Sequence, residues 1–240
     1  ALVLAAPHLT MMMKTLTLAL SLVGAAAFSR SPMRMAAETS MVKNGWKYDQ
    51  NKFVGGLPGA IAPLGEFDPL EICYPEEMSE SDVKRLREAE VMHGRVAMMA
   101  FVGYIMGEAV TPLTGKSFIM PTVVSGPANS HLAQIIGEQP IAFIAFVCAI
   151  GFAEIRRAQI GWVSPDEALF TLRDDYYPGD IGFDPLGIRP DTPEAFATEQ
   201  CREISNGRLA MIAVAGLCAQ EIVRPVQILE NLGIQREIIA

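Results

Sequence analysis

Residues 90–100 read EVMHGRVAMMA, and residues 203–213 read EISNGRLAMIA. The two stretches lie 113 positions apart, and Glu, Gly, Arg, Ala, Met and Ala recur at six of the eleven positions. Further on, Gly103 matches Gly216 and Glu108 matches Glu221. Upstream, LGEFDPLEI beginning at Leu64 echoes DIGFDPLGI beginning at Asp180. The apolar run from Ile141 to Ala153 has no such partner. A repeat of this kind predicts two related helices about a pseudo-twofold axis, with a third helix outside the pair. Gly94, Ala97, Gly207 and Ala210 would let the two backbones approach closely. Glu90 and His93 are three apart and share a helix face, while Arg95 sits roughly 140° around from Glu90. Glu203, Asn206 and Arg208 repeat that geometry. Charges in apolar surroundings need partners. The symmetric solution pairs Glu90 with Arg208 and Glu203 with Arg95. Pairing within one helix is the alternative, but it does not account for the pattern occurring twice.

Composition limits the function classes. Half of the 240 residues are hydrophobic and 19% are charged, below the roughly 25% of a typical soluble domain. Nineteen Lys and Arg against 27 Asp and Glu leave a net charge of −8. That balance offers no basic surface for phosphates and argues against a nucleic-acid binder. The apolar load argues against disorder. Four cysteines without a CxxC pair do not make a disulfide scaffold.

Turn residues divide the rest. Residues 44–78, 111–139 and 161–191 are rich in Gly and Pro and read as loops. Between them stand three helices. The first covers roughly 81–110, capped by Ser79 or Ser81. The second starts near Glu138 with Pro140 in its first turn. The third runs from a Thr192 cap and Pro193 to about Arg224. None of their uncharged runs reaches the 18 or so residues that usually identify a span. Even so, an all-round apolar second helix and the self-cancelling charges of the other two favour membrane crossing. Lys84, Arg85, Arg87, Arg156 and Arg157 would then flank one membrane face, against Lys116 and Arg224 on the other. The expected fold is an all-α membrane protein with three transmembrane helices. The first and third form a crossed pseudo-twofold pair, and a short amphipathic helix follows over 227–238.

His93 and Asn206 are left facing outward from the crossed pair. A lone histidine there would as readily be a hydrogen-bonded core residue, but the repeat puts a donor at the same place in both helices. Imidazole, carboxylate and amide oxygen all suit the axial position of a metal in a flat macrocycle. Each side offers too few ligands for a tetrahedral zinc site. An arginine from the opposite helix would neutralise a carboxylate and leave one oxygen free for a metal. Glu154, followed by Arg156 and Arg157, offers the same combination. Gln220 adds a neutral donor fourteen residues beyond Asn206, or about 21 Å along a helix.

With these motifs in hand, the chain resembles the light-harvesting chlorophyll-binding proteins over about residues 55–225. EVMHGR at 90–95, EISNGR at 203–208 and the two FDPL segments carry the resemblance. It implies that Glu90, His93, Glu154, Glu203, Asn206 and Gln220 are axial ligands of chlorophyll magnesium. Arg95 and Arg208 would be the reciprocal ion-pair partners. Two xanthophylls would lie in the grooves of the crossed helices, with end groups near Asp68-Pro69 and Asp184-Pro185. A second ligand in the middle helix would fall at Phe146, which cannot bind magnesium; Gln139 and His131 are candidate substitutes. The chain is most like the fucoxanthin chlorophyll a/c-binding proteins of algae with complex plastids. That implies chlorophyll a, chlorophyll c, and fucoxanthin or diadinoxanthin-like carotenoids. It also implies thylakoid lipids, a photosystem I or II core and neighbouring antenna subunits as partners, in the plastid thylakoid membrane. A red-algal type with chlorophyll a alone is the alternative within the family.

The front end fits that setting. KTLTLALSLVGAAAF at 14–28 has the layout of a targeting signal. The Ser- and Arg-containing stretch after it, with Ala27-Phe28 at the junction, resembles a transit peptide of complex plastids. An ordinary secretory signal is the alternative. The expected division is a targeting segment 1–27, a transit remainder and loop 28–54, a pigment-binding domain 55–225 and a tail 226–240. The expected function is transfer of excitation energy to a photosystem, with no enzyme chemistry. A photoprotective member that dissipates energy is the alternative. A small transporter would line its polar residues along a path instead of presenting them in two outward sets. A soluble helical interaction protein is the remaining rival.

Overall fold

The structure is a computed structural model that describes residues 46–49, 51–62, 64–70, 78–114 and 124–231. The targeting segment 1–27, the stretch 28–45 and residues 232–240 lie outside the described residues. Among the described residues there are five α-helices: α1 (Glu80–Thr114), α2 (Ala128–Glu138), α3 (Pro140–Gly161), α4 (Pro193–Val223) and α5 (Ile228–Asn231). A 3-10 turn, Phe53–Gly56, precedes them. Local chemistry sets the helix starts. Ser79 Oγ accepts the Asp82 N–H at 3.3 Å ahead of α1, and Thr192 Oγ1 accepts the Ala195 N–H at 3.4 Å ahead of α4. Pro140 and Pro193 occupy first turns, where a missing N–H costs nothing.

The two long helices cross at the centre of the repeat. A Cβ placed on Gly94 would stand 3.1 Å from the Gly207 Cα, and one on Gly207 would stand 3.0 Å from the Gly94 Cα. Backbone meets backbone there, and Ala97 and Ala210 continue the buried seam. Glu108 and Glu221 hold the next layer. Glu108 accepts the N–H groups of Ile228 and Leu229, both at 3.0 Å. Glu221 accepts those of Ala128 at 3.2 Å and Asn129 at 2.8 Å. Each long helix thus caps a short helix from its buried carboxylate. At the other end, Leu57, Val83 and Tyr177 form a small core with Trp46, Tyr48 and Phe196 packed against it.

Two sequence expectations are corrected. The three transmembrane helices are not found: among the described residues no single helix is long and apolar enough to cross a membrane. The one combination that is, α2 with α3, is bent by 112°. Charge is the reason. Acids and bases recur along α1 from Glu80 to Glu108 and along α4 from Glu194 to Glu221, and α3 turns polar at Glu154. The cations expected to flank a membrane are partly used inside the protein. Lys84 and Arg87 are buried, and Arg157 is held between two carboxylates. Second, residues 128–138, expected as loop, form α2, because Glu221 supplies its cap from another helix. The amphipathic helix expected over 227–238 begins as α5, Ile228–Asn231, and its remainder, 232–238, lies outside the described residues.

Candidate functional site

The crossing carries two reciprocal ion pairs between helices. Arg95 Nε donates to Glu203 Oε1 at 2.7 Å, and Arg208 Nε donates to Glu90 Oε1 at 2.7 Å. Each arginine also ties down a loop. Arg95 Nη1 donates to the Gly179 carbonyl at 2.8 Å, and Arg208 Nη1 to the Gly59 carbonyl at 2.7 Å. These two glycines stand in Leu57-Pro58-Gly59 and Tyr177-Pro178-Gly179, a second repeat that the sequence reading passed over. Both have positive φ, and both lie against α1. A Cβ on Gly59 would meet Arg87 Nη1 at 2.8 Å, and one on Gly179 would meet Val91 at 2.9 Å.

The outward faces match as well. His93 Nδ1 lies 2.7 Å from the Ala89 carbonyl. That contact fixes the proton on Nδ1 and leaves the Nε2 lone pair outward, where it can act as a ligand. His93, Asn206 and Gln220 are all exposed. Beside His93 lie Val96 and Met99, 62% and 78% exposed. Beside Asn206 lie Leu209 and Ile212, 67% and 74% exposed. These four residues occupy equivalent positions of the repeat, so each donor stands on the same apolar platform.

The two carboxylates of the motif differ. Glu203 gives one oxygen to Arg95, and its other oxygen has no protein partner among the described residues. Glu90 gives Oε1 to Arg208, and Arg87 Nη1 stands 2.9 Å from its Oε2 without a hydrogen bond to it. On α3, Glu154 gives Oε2 alone to Arg157, at 2.9 Å from Nε and 2.8 Å from Nη2. Phe146 is exposed on the same helix. His131 is buried, with Nε2 3.0 Å from the Gly126 carbonyl. It belongs to the α2 packing.

A groove of about 1190 Å³ runs beside the crossing. Val91, Val96, Met99, Ile181 and Phe183 line it together with Arg95, Glu154 and Glu203. Two loop residues fix its rim. Asp184 accepts the N–H groups of Ile188 at 3.1 Å and Arg189 at 3.0 Å. Those backbone donors, Arg189 first, hold its carboxyl below the usual carboxylate range. Tyr177 donates to Gln200 Oε1 at 2.6 Å, and burial pushes its hydroxyl up to about 12.

The profile of the chlorophyll A-B binding protein family matches residues 53–222. Light-harvesting complex stress-related protein 3.2 of Chlamydomonas reinhardtii is 44% identical over 190 residues, 77% of this chain and 70% of that protein. Stress-related protein 1 of the same alga is 45% identical over 186 residues, 75% and 70% of the two chains. A fucoxanthin-chlorophyll a-c binding protein of Isochrysis galbana is 44% identical over 178 residues, 72% and 79% of the two chains.

Proposed function

The chain belongs to the chlorophyll A-B binding protein family, and from that premise we propose that it binds chlorophylls and carotenoids and dissipates excitation energy under stress. It is a pigment-binding protein and not an enzyme. One observation carries the pigment reading: an outward nitrogen or oxygen donor on the same exposed apolar platform, on both crossed helices. A flat macrocycle needs one axial donor and an apolar surface for its ring, and each side provides both. In this proposal Glu90, His93, Glu154, Glu203, Asn206 and Gln220 are the magnesium ligands. Arg95 and Arg208 offset the charge of the two carboxylates. Magnesium chlorin supplies light absorption; the chain sets the spacing and charge around it. An elongated carotenoid suits the apolar groove between Val91 and Phe183.

The stress-related relatives favour dissipation over delivery of energy. The fucoxanthin-chlorophyll a-c binding relative supports the second reading, a light-harvesting antenna, and suggests chlorophyll c and fucoxanthin as its pigments. We place the protein at plastid thylakoids, with thylakoid lipids, a photosystem and neighbouring antenna subunits as partners. Segment 1–27 would direct it there, and 55–225 would be the pigment-binding unit. Chlorophyll fluorescence lifetime of the purified, pigmented protein separates the readings. A lifetime much shorter than that of a light-harvesting relative in the same detergent is expected. An equal lifetime at both neutral and acidic pH would leave harvesting as the function.

A further inference from the structure

Glu88 is outside the doubled motif and is among the most buried side chains, at 2% exposure. Its Oε2 accepts the Tyr176 hydroxyl at 3.0 Å and the Gly179 N–H at 2.6 Å. Its Oε1 accepts Arg157 Nη1 at 2.6 Å. Arg157 turns its remaining nitrogens to a single oxygen of Glu154. From the Gly179 peptide the connection continues: its carbonyl accepts Arg95 Nη1, and Arg95 Nε reaches Glu203. Glu154 on α3 and Glu203 on α4 are therefore the ends of one chain of charge-assisted hydrogen bonds with Glu88 at its middle. Both ends line the same groove.

The arrangement constrains Arg157. A free guanidinium beside a carboxylate favours a two-pronged grip on both oxygens. Here Nη1 is anchored on Glu88, and the guanidinium it positions brings Nε and Nη2 together on Oε2 of Glu154 alone. We infer that Glu88 is a positioning residue of the Glu154 site: by anchoring Arg157 it keeps the second Glu154 oxygen available to a chlorophyll magnesium. The inference rests on the pigment-binding reading above. Without the Glu88 charge, Arg157 is free to close on both Glu154 oxygens and compete with the metal. The link through Gly179 ties this site to the Arg95–Glu203 pair, so the loop at 176–179 sets the spacing of two sites at once.

The test reconstitutes the full chain with a chlorophyll and carotenoid extract and compares wild type, Glu88→Gln, Arg157→Lys, Glu154→Ala and the Glu88→Gln/Glu154→Ala pair. Chlorophylls per chain and difference absorption spectra are read. A partner behind a metal ligand typically contributes roughly 10–100-fold in affinity, so Glu88→Gln is expected to lose about one chlorophyll per chain. The missing band should be that of Glu154→Ala, and the double variant should lose no more. Arg157→Lys keeps the charge and leaves the Tyr176 and Gly179 bonds of Glu88. It should keep that band, because a lysine cannot close on both Glu154 oxygens. A further variant, Glu88→Asp, keeps the charge but draws the anchor back; it should lose the band, and it decides the matter if Glu88→Gln does not refold. A full pigment complement in the Glu88 variants, loss of the band in Arg157→Lys, or a lost band different from that of Glu154→Ala overturns the inference while the pigment reading stands. A wild-type chain that takes up no chlorophyll overturns both.

Discussion

Single side chains at the crossing do unequal work. Glu90 is held by two arginines and Glu203 by one, so the repeat is symmetric in sequence but not in charge. Truncating Glu203 leaves Arg95 with the Gly179 carbonyl as its hydrogen-bond partner among the described residues. We predict that Glu203→Ala costs about 1–3 kcal/mol, the usual penalty for stranding a partner, read as a lower melting temperature of the reconstituted protein. Tyr177 gives a second prediction. Its folded hydroxyl is raised above the unfolded value of about 10, so it adds stability that is fully present below that pH. The stability fades as pH rises through about 12. Burial raises Tyr104 and Tyr176 as well, so an alkaline titration followed by tyrosinate absorption should show several late-titrating phenols, and Tyr177→Phe should remove the earliest of them. The Glu–Arg pairs were legible in the sequence because they occur twice. Glu88 was not, since its partners Arg157, Tyr176 and Gly179 lie 69, 88 and 91 residues away with no repeated pattern to mark them.

Among the elements, the α1–α4 crossing follows from residue size. Gly94→Ala or Gly207→Ala would gain about 1 kcal/mol of helix propensity. Against that stands a Cβ at 3.0–3.1 Å from the facing backbone, and overpacking of this kind costs about 1–3 kcal/mol. We predict a net loss of stability for each, measured by thermal melting, with the larger loss in the double variant. The short helix α2 depends on a carboxylate from α4. Glu221→Ala should raise amide exchange in Ala128–Glu138 while leaving the centre of α4 protected, at a cost of about 0.5–2 kcal/mol for the lost cap. That dependence explains why α2 escaped the sequence reading. Gly126, Pro127 and Asn129 look like loop, and the stabilising acid stands 92 residues further on. The membrane reading failed for the opposite reason. It counted apolar runs and flanking cations, whereas Lys84, Arg87 and Arg157 are engaged within the protein.

For the whole molecule, the repeat, the crossing and the outward donors form one arrangement. Interhelical arginines neutralise two carboxylates and pin two Pro-Gly loops, and apolar platforms remain beside His93 and Asn206. The central claim is that the repeated donors hold pigment, and it predicts equivalent consequences at equivalent positions. The most direct measurement is the chlorophyll-to-protein ratio of the reconstituted chain in wild type, His93→Leu and Asn206→Leu. Each variant should fold, keep the ion pairs and lose its own distinct absorption band. Full chlorophyll content in both variants would contradict the account.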